Sequence, residues 1–579
     1  MENYNLLTEP WIHVKDMNGN HTACGLLELM LRAHEFNDIE TPAFNGIQFP
    51  LFDYLIIRLI TTLIADIYSI STEKNIGELL SKKQFDPKDI KKYFDLYGDR
   101  FDLFDADHPF MQSTDKDLEK WLKTGIKKLE AKEAGHLNIC PTAVAESGRL
   151  FGTGLDTTDL VDTDQPKKKR ENNIQAALNV KYALTYEQFA YLLLYANGIL
   201  PGVGEGNKSG LCGNCYYWET LKGHNLFETF LLNSVMCKNK KPGEENKPVW
   251  RYDGVIEQID DMRNCVENNV PMNKRILAGM FYPIKILRGY PEDGIVKTCI
   301  NQSYKQAGEK YYDIIDELRM HWTLTMEPHG VHLSEEQQAK CKNRNNPYVK
   351  LSPEDALWIH LAGSLQVDIE KYRLEDIGKL TMIKDGIADK DCDPALNTAE
   401  AAPFIKEDTE VVLYYRICDE HWTYQDTGKI VGLLPMAIRD SIERQQCVTK
   451  IVHFFNLACN ILPRPVKDSK SKKQNKDKQK VKVYTNTAAI FSEHMESRFG
   501  LHDGSGYIHQ ICHANVKDLD ALCMQIKAEI VNVARNTMFH TLGGTNIADK
   551  TKMINMICLK LLIYGGLIKD ESKQSKDKK

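Results

Sequence analysis

Leu200-Pro201-Gly202-Val203-Gly204-Glu205-Gly206-Asn207-Lys208-Ser209-Gly210-Leu211 ends the helical pattern of Tyr186 to Asn197 and cannot itself continue as a regular helix. Each glycine weakens a helix, and Pro201 removes an amide donor. Glycine also lets a backbone lie against another surface with no Cβ in the way. With Lys208 beside it, the segment suits main-chain contact with a polyanion, although composition alone favours a flexible surface loop. Two phosphate-binding patterns are excluded. The P-loop requires glycine immediately before the lysine, where Asn207 stands. The alternation of Gly202, Gly204 and Gly206 is not the dinucleotide fingerprint, and Leu211-Cys212-Gly213-Asn214-Cys215 opens no helix.

Outward from this run, strand and helix signals alternate. Trp11 to Val14 with the Gly19-Asn20 turn reads as a strand pair, while Leu26 to His34 and Leu51 to Ile70 read as helices. Phe281 to Arg288 reads as a strand, Pro291-Glu292-Asp293-Gly294 as a turn, and Ile295 to Cys299 as the returning strand, with Lys297 near the tip. Trp322 to Met326, Val411 to Ile417 and Trp422 to Tyr424 read as further short strands. Residues 125–175 read as a long loop holding the basic run Lys167-Lys168-Lys169-Arg170. Met436 to Ile461, Ala488 to Phe499, Val516 to Phe539 and Ala548 to Ile563 read as helices. In the third, Leu519, Leu522, Cys523, Ile526, Ile530 and Val533 form one apolar face. The predicted fold is α+β: a large mixed N-terminal domain with β-hairpins over 1–434, then a C-terminal four-helix bundle over 435–568. The bundle carries a disordered connection, 467–482, with eight lysines against two aspartates, and a basic tail follows at 569–579.

A chain of 579 residues exceeds a single core, so about two to four domains are expected. The net charge of −6 argues against a protein that coats nucleic acid unaided; such contact must be local or shared with partners. Fifteen scattered cysteines suit reduced thiols in the cytoplasm rather than a disulfide scaffold. No signal-peptide pattern precedes the first strand. The apolar stretch Phe49 to Ile67 is interrupted by Asp53, Arg58 and Asp66, which favours a buried helix over a membrane span.

No catalytic constellation is complete. Cys212 and Cys215 form a lone C-x-x-C, whereas a structural zinc site needs four ligands; His224, Cys237 and Cys299 are near only in sequence. His321, His329 and His332 cluster, which leaves a metal-dependent nuclease using this His/Cys set as an alternative. No cofactor is called for, and the balance favours a non-enzymatic binding subunit, with a purely structural scaffold as a third reading.

Asn5-Leu6-Leu7-Thr8-Glu9-Pro10-Trp11-Ile12, His108-Pro109-Phe110-Met111-Gln112, the segment Pro201 to Leu211 and Asn246-Lys247-Pro248-Val249-Trp250 resemble, in order, the large-subunit family of type I-E CRISPR Cascade complexes (CasA). The layout of a mixed domain followed by a helical bundle is similar too, so the resemblance covers nearly the whole chain. It implies an RNA-guided interference role in which guide RNA reads sequence and this subunit reads the short protospacer-adjacent motif (PAM) in duplex DNA. It further implies minor-groove reading by a glycine loop, a lysine finger and a glutamine wedge. Carried onto this sequence, the loop is Gly202, Gly204 and Gly206 with Asn207 and Lys208, and the finger is Lys297. The wedge follows Tyr415-Arg416, where this chain has no glutamine; Asp419, His421, Trp422 and Gln425 are the candidates. The metal of some members is not transferred, since only Cys299 follows the finger. The partners implied are the other Cascade subunits, the guide RNA with its 5′ handle, target duplex DNA and a helicase–nuclease recruited after R-loop formation; no membrane is involved. Lys167, Lys168, Lys169 and Arg170, with Lys472 and Lys473, are candidates for nucleic-acid backbone contacts.

Overall fold

The structure, a computed structural model, describes residues 3–41, 50–71, 73–124, 131–133, 184–200, 210–211, 215, 217–235, 246–268, 270, 272–304, 309–325, 329, 410–418, 424–433, 441–463, 487–499, 506–542, 546–565 and 567–568. They fall into two compact units, one up to Lys429 and one from Ile430 onward. The architecture is mixed α/β, with small sheets among many helices.

In the first unit β1 (Ile12–Asp16), β2 (His21–Cys24) and β3 (Phe36–Ile39) form a sheet in the order β2-β1-β3. Gly19 turns the first pair at φ 86°, and the Asp16 carboxylate accepts from the amides of Asn18 and Asn20 at 2.8 Å each. Helix α1 (Leu26–Arg32) follows, then α2 (Leu51–Tyr68), which is buried on all sides from Leu51 to Ala65. Its interrupting charges are paired within the core. Asp53 accepts from the Thr41 amide at 2.9 Å, and Arg58 donates to the Met280 carbonyl at 2.8 Å and to the Tyr54 hydroxyl at 3.1 Å. Among the described residues no helix is long and apolar enough to cross a membrane.

The elements that carry the site are set by local capping. Thr114 and Asp117 form a capping box for α5 (Asp115–Lys123), the helices before it being α3 (Glu73–Ser81) and α4 (Pro87–Tyr97). Thr185 and Gln188 do the same for α6 (Tyr186–Gly198). Asp117 also accepts from the amides of Val255 at 3.0 Å and Ile256 at 3.3 Å, so one buried carboxylate caps α5 and the start of α8 (Val255–Glu267) together; α7 (Leu226–Leu232) lies between them in sequence. Helix α9 (Ile276–Met280) leads into the second sheet. There β8 (Ile295–Ser303) pairs antiparallel with β4 (Ala131–Glu133), β5 (Leu184–Thr185) and β7 (Lys285–Glu292). The third sheet has the order β10-β9-β6, with β6 at Tyr217–Lys222, β9 at Glu410–Cys418 and β10 at Tyr424–Leu433.

One expected strand is a helix. Trp322 to Thr325 ends α10 (Ile314–Thr325), in which Ile314, Ile315, Leu318 and Trp322 are buried. Their spacing is helical, and a five-residue window around Trp322 is too short to reveal it. Trp322 packs against Gly279, where an added Cβ would stand 2.0 Å from the indole.

In the second unit α11 (Ile442–Ile461), α12 (Thr487–Phe499), α14 (Leu519–Thr541) and α15 (Ile547–Tyr564) pack on one another, with the short α13 (Tyr507–His513) beside them. Leu519, Cys523, Ile526, Ile530 and Val533 are buried as their spacing predicts, and Leu522 is half-buried at the edge of that face. Phe455 stacks on Phe491 at 5.2 Å, and the Thr487 and Thr541 hydroxyls meet at 2.9 Å.

Candidate nucleic-acid interface

Lys297 owes its position to a proline. Along β7 and β8 the register runs regularly from Lys285↔Ser303 to Tyr290↔Thr298, then steps to Pro291↔Val296 and Glu292↔Ile295. Val296 and Lys297 therefore share one residue opposite them, which makes Lys297 the extra residue of a β-bulge. Pro291 has no amide to give to a ladder, and bulges are where a strand tolerates proline. The bulge shifts the alternation of β8 by one: Val296 is buried, Lys297 exposed, and Cys299 and Ile300 buried again. Asp293 at φ 54° and Gly294 at φ 80° close the hairpin in the left-handed pair that a two-residue turn requires. Lys297 Nζ lies 2.7 Å from Glu292 Oε1, with both side chains more than half exposed.

The root of this hairpin is fixed by buried polar contacts. Gln112, 3% exposed, donates to the Leu103 carbonyl at 2.7 Å and accepts from the Gly289 amide at 2.7 Å. The Ser113 amide donates to the Leu287 carbonyl at 2.9 Å. Gly289 allows Phe189 of α6 to pack on the strand, since a Cβ there would stand 2.5 Å from its ring. Burial pulls the Lys285 ammonium down to about 8, and burial also lowers Arg288, whose guanidinium reaches the Ser113 and Asp105 carbonyls at 3.4 Å each.

Helix α6 connects this hairpin to the glycine run. It begins where β5 pairs with the hairpin tip, Thr185↔Ile295, and ends at Gly198. Asn197 donates from its side-chain amide to the Met111 carbonyl at 3.1 Å, and its backbone carbonyl accepts from the Tyr282 amide at 2.8 Å. Met111, at φ 53°, neighbours Gln112, so the two anchors are adjacent in one loop. The Gly210 amide donates to the Leu200 carbonyl at 2.7 Å, bringing together the two ends from which residues 201–209 depart.

Of the residues expected in the site, Lys297 stands as described above. Gly202, Gly204, Gly206, Asn207, Lys208, Asp419, His421, Trp422, Lys167, Lys168, Lys169, Arg170, Lys472 and Lys473 lie outside the described residues. Gln425 lies in β10 and Tyr415 in β9, opposite Tyr217. Of the alternative histidine cluster, His321 and His329 are among the described residues. His321 is in α10 rather than beside a strand, and His329 is a buried structural residue, its Nε2 3.0 Å from the Asn233 carbonyl and its Nδ1 3.5 Å from the Tyr54 hydroxyl. His332 and Cys212 lie outside the described residues, whereas Cys215 and Cys299 are buried. Among the described residues no group of three His, Cys, Asp or Glu side chains is arranged to hold a metal ion.

The other shared motifs prove to be structural clasps. Asn5 donates to the Gly98 carbonyl and accepts from the Leu7 amide, and Trp11 Nε1 donates to the Leu6 carbonyl at 2.9 Å. Asn246, fully buried, accepts from the Leu277 amide, and Trp250 Nε1 donates to the Tyr93 hydroxyl at 2.8 Å. Sequence reasoning missed Pro291, Gln112 and Asn197 as supports of the site; a proline within a strand pattern was the available signal.

Comparison with known proteins agrees with this architecture. A family model described as CRISPR-associated protein Cse1 matches residues 5–383. CasA/Cse1 of Thermus thermophilus is 30% identical over 258 residues, and the match spans 43% of this chain and 42% of that protein's length. Cse1 from Acidimicrobium ferrooxidans shares the fold at a TM-score of 0.55 and 15% identity, over 97% of this chain and 98% of that one. A chain of a CRISPR RNA-guided surveillance complex does so at 0.53 and 12% identity, over 97% and 100%. With the match reaching from residue 5 to residue 383 of 579, the chain belongs to the CRISPR-associated protein Cse1 family.

Proposed function

We propose that the chain is the non-catalytic large subunit of an RNA-guided type I-E interference complex and recognises the PAM of target duplex DNA through the minor groove. The observation that carries this reading is Lys297, the extra residue of a bulge, exposed beside the turn of a hairpin whose root is buried and hydrogen-bonded. A minor groove about 6 Å wide admits a lysine ammonium, which can donate to the N3 and O2 acceptors lining it. Because those acceptors distinguish base pairs poorly, tolerance of several PAMs follows. The general division of labour, with pairing reading sequence and protein reading a short duplex motif, is known in another RNA-guided effector.

In this reading the glycine run approaches the same groove. Helix α6, thirteen residues long, separates the base of that run from the hairpin tip by about 20 Å along its axis. Nine residues leaving Leu200 and returning at Gly210 can reach about 16 Å from their base when extended. An extended run therefore stops short of the finger itself, and in this reading it is the duplex between them that Gly202, Gly204, Gly206, Asn207 and Lys208 share with Lys297. One of Asp419, His421 and Trp422, which fall between β9 and β10 in sequence, or Gln425 at the start of β10, supplies the wedge that opens the first base step and starts the R-loop.

The likeness to a chain of a surveillance complex supports assembly with other Cascade subunits and guide RNA, with Lys167, Lys168, Lys169 and Arg170 on the 5′ handle. Residues 1–434 form the recognition domain and 435–568 a four-helix bundle in the cytoplasmic complex. The lysine-rich 467–482, with Lys472 and Lys473, and the tail 569–579 lie along DNA phosphates, which position without specifying. Cleavage belongs to the recruited helicase–nuclease. The test is Lys297→Ala in the assembled complex, on a PAM duplex and on the same target pre-opened as a bubble. The duplex should lose affinity by about fivefold or more, as a groove contact worth about 1–3 kcal/mol implies, and the bubble much less; equal loss on both would remove the finger role.

A further inference from the structure

The hairpin that presents Lys297 also presents its counter-ion. Glu292 pairs with Ile295 across the turn, and its carboxylate meets the Lys297 ammonium diagonally at 2.7 Å. Asp293 occupies the turn itself, so the tip carries two carboxylates against one ammonium. For a surface that must approach a polyanion, this is the wrong sign. Among the described residues the Glu292 side chain forms a hydrogen bond or ion pair only with Lys297, while the turn is set by Asp293 and Gly294 and the bulge by Pro291.

We infer that Glu292 is an intramolecular competitor of DNA for the Lys297 ammonium and sets the strength of PAM binding. The inference rests on reading Lys297 as the finger. In the free subunit the carboxylate holds the ammonium along the hairpin. Entry into the groove exchanges this charge-assisted bond for one to a base acceptor. An exposed pair of this kind contributes about 0.2–1 kcal/mol, so the competition lowers affinity by roughly 1.4- to 5-fold. Such a device weakens each encounter and shortens the stay on any one PAM, which suits a subunit that must sample many duplex sites.

The experiment is a double-mutant cycle on the assembled complex, with PAM duplex binding measured for wild type, Glu292→Gln, Lys297→Ala and the double variant. Gln is isosteric and the position is exposed, so folding is preserved, and matched thermal unfolding verifies it. Glu292→Gln should tighten PAM-duplex binding by about 1.4- to 5-fold through slower dissociation, and the gain should vanish when Lys297 is Ala. An unchanged affinity in Glu292→Gln, with Lys297→Ala still impaired, overturns the inference and leaves the finger intact. A gain that persists without Lys297 also overturns it, since Glu292 would then act only as local negative charge. Unimpaired binding in Lys297→Ala refutes the finger itself, and the inference with it.

Discussion

Replacing Gln112 with Leu should loosen the hairpin without touching its exposed face. Gln112 is 3% exposed and bonds two backbone groups at 2.7 Å each, the Leu103 carbonyl and the Gly289 amide. Leu has similar volume and leaves little cavity, but it offers neither group a partner. Each abandoned buried group costs about 1–3 kcal/mol, so the expected loss is about 2–6 kcal/mol. Because Gly289 sits where β7 packs on Phe189, much of that loss should appear as local opening of β7 and β8. Hydrogen exchange across 285–303 should speed by about 30-fold for every 2 kcal/mol, and PAM-duplex binding should weaken with Lys297 still present. Exchange across the hairpin identical to wild type, with an unchanged unfolding midpoint, would falsify the claim that Gln112 anchors the site.

Two other substitutions test the supports independently. Lys285 titrates near 8 in the folded chain against an ordinary value of 10.5, so the native state gives up a proton that the unfolded chain keeps. Stability should therefore rise as pH increases from about 8 to 10.5; Lys285→Met should abolish that rise and add on the order of 3 kcal/mol at pH 7, checked by urea midpoints at both ends. Asp117→Ala removes the shared cap from the Thr114, Val255 and Ile256 amides and should cost about 3 kcal/mol or more, with exchange rising at the starts of both α5 and α8. If exchange rises at one helix alone, the carboxylate does not couple them.

Much of the fold was legible because its signals are local. The Gly19 turn, the Asp293-Gly294 hairpin and the amphipathic face Leu519 to Val533 each announce themselves within a few residues. Trp322 was misread because a short alternating window conceals a helical stripe that starts at Ile314. Lys297 beside a hairpin turn was legible in the sequence; what aims it was not. A one-residue register step set by Pro291 and a side-chain bridge from Gln112 to Gly289, 177 positions apart, are long-range facts that no sequence window contains. Of the motifs that carry the family resemblance, Asn5, Trp11, Gln112, Asn246 and Trp250 serve packing and the satisfaction of buried polar groups.

The most direct measurement is binding of the assembled complex to matched duplexes with and without candidate PAMs, wild type beside Lys297→Ala. Tighter binding to the PAM duplexes that collapses in the variant is the predicted result. Binding by wild type that takes no account of the PAM would contradict the proposed recognition role altogether.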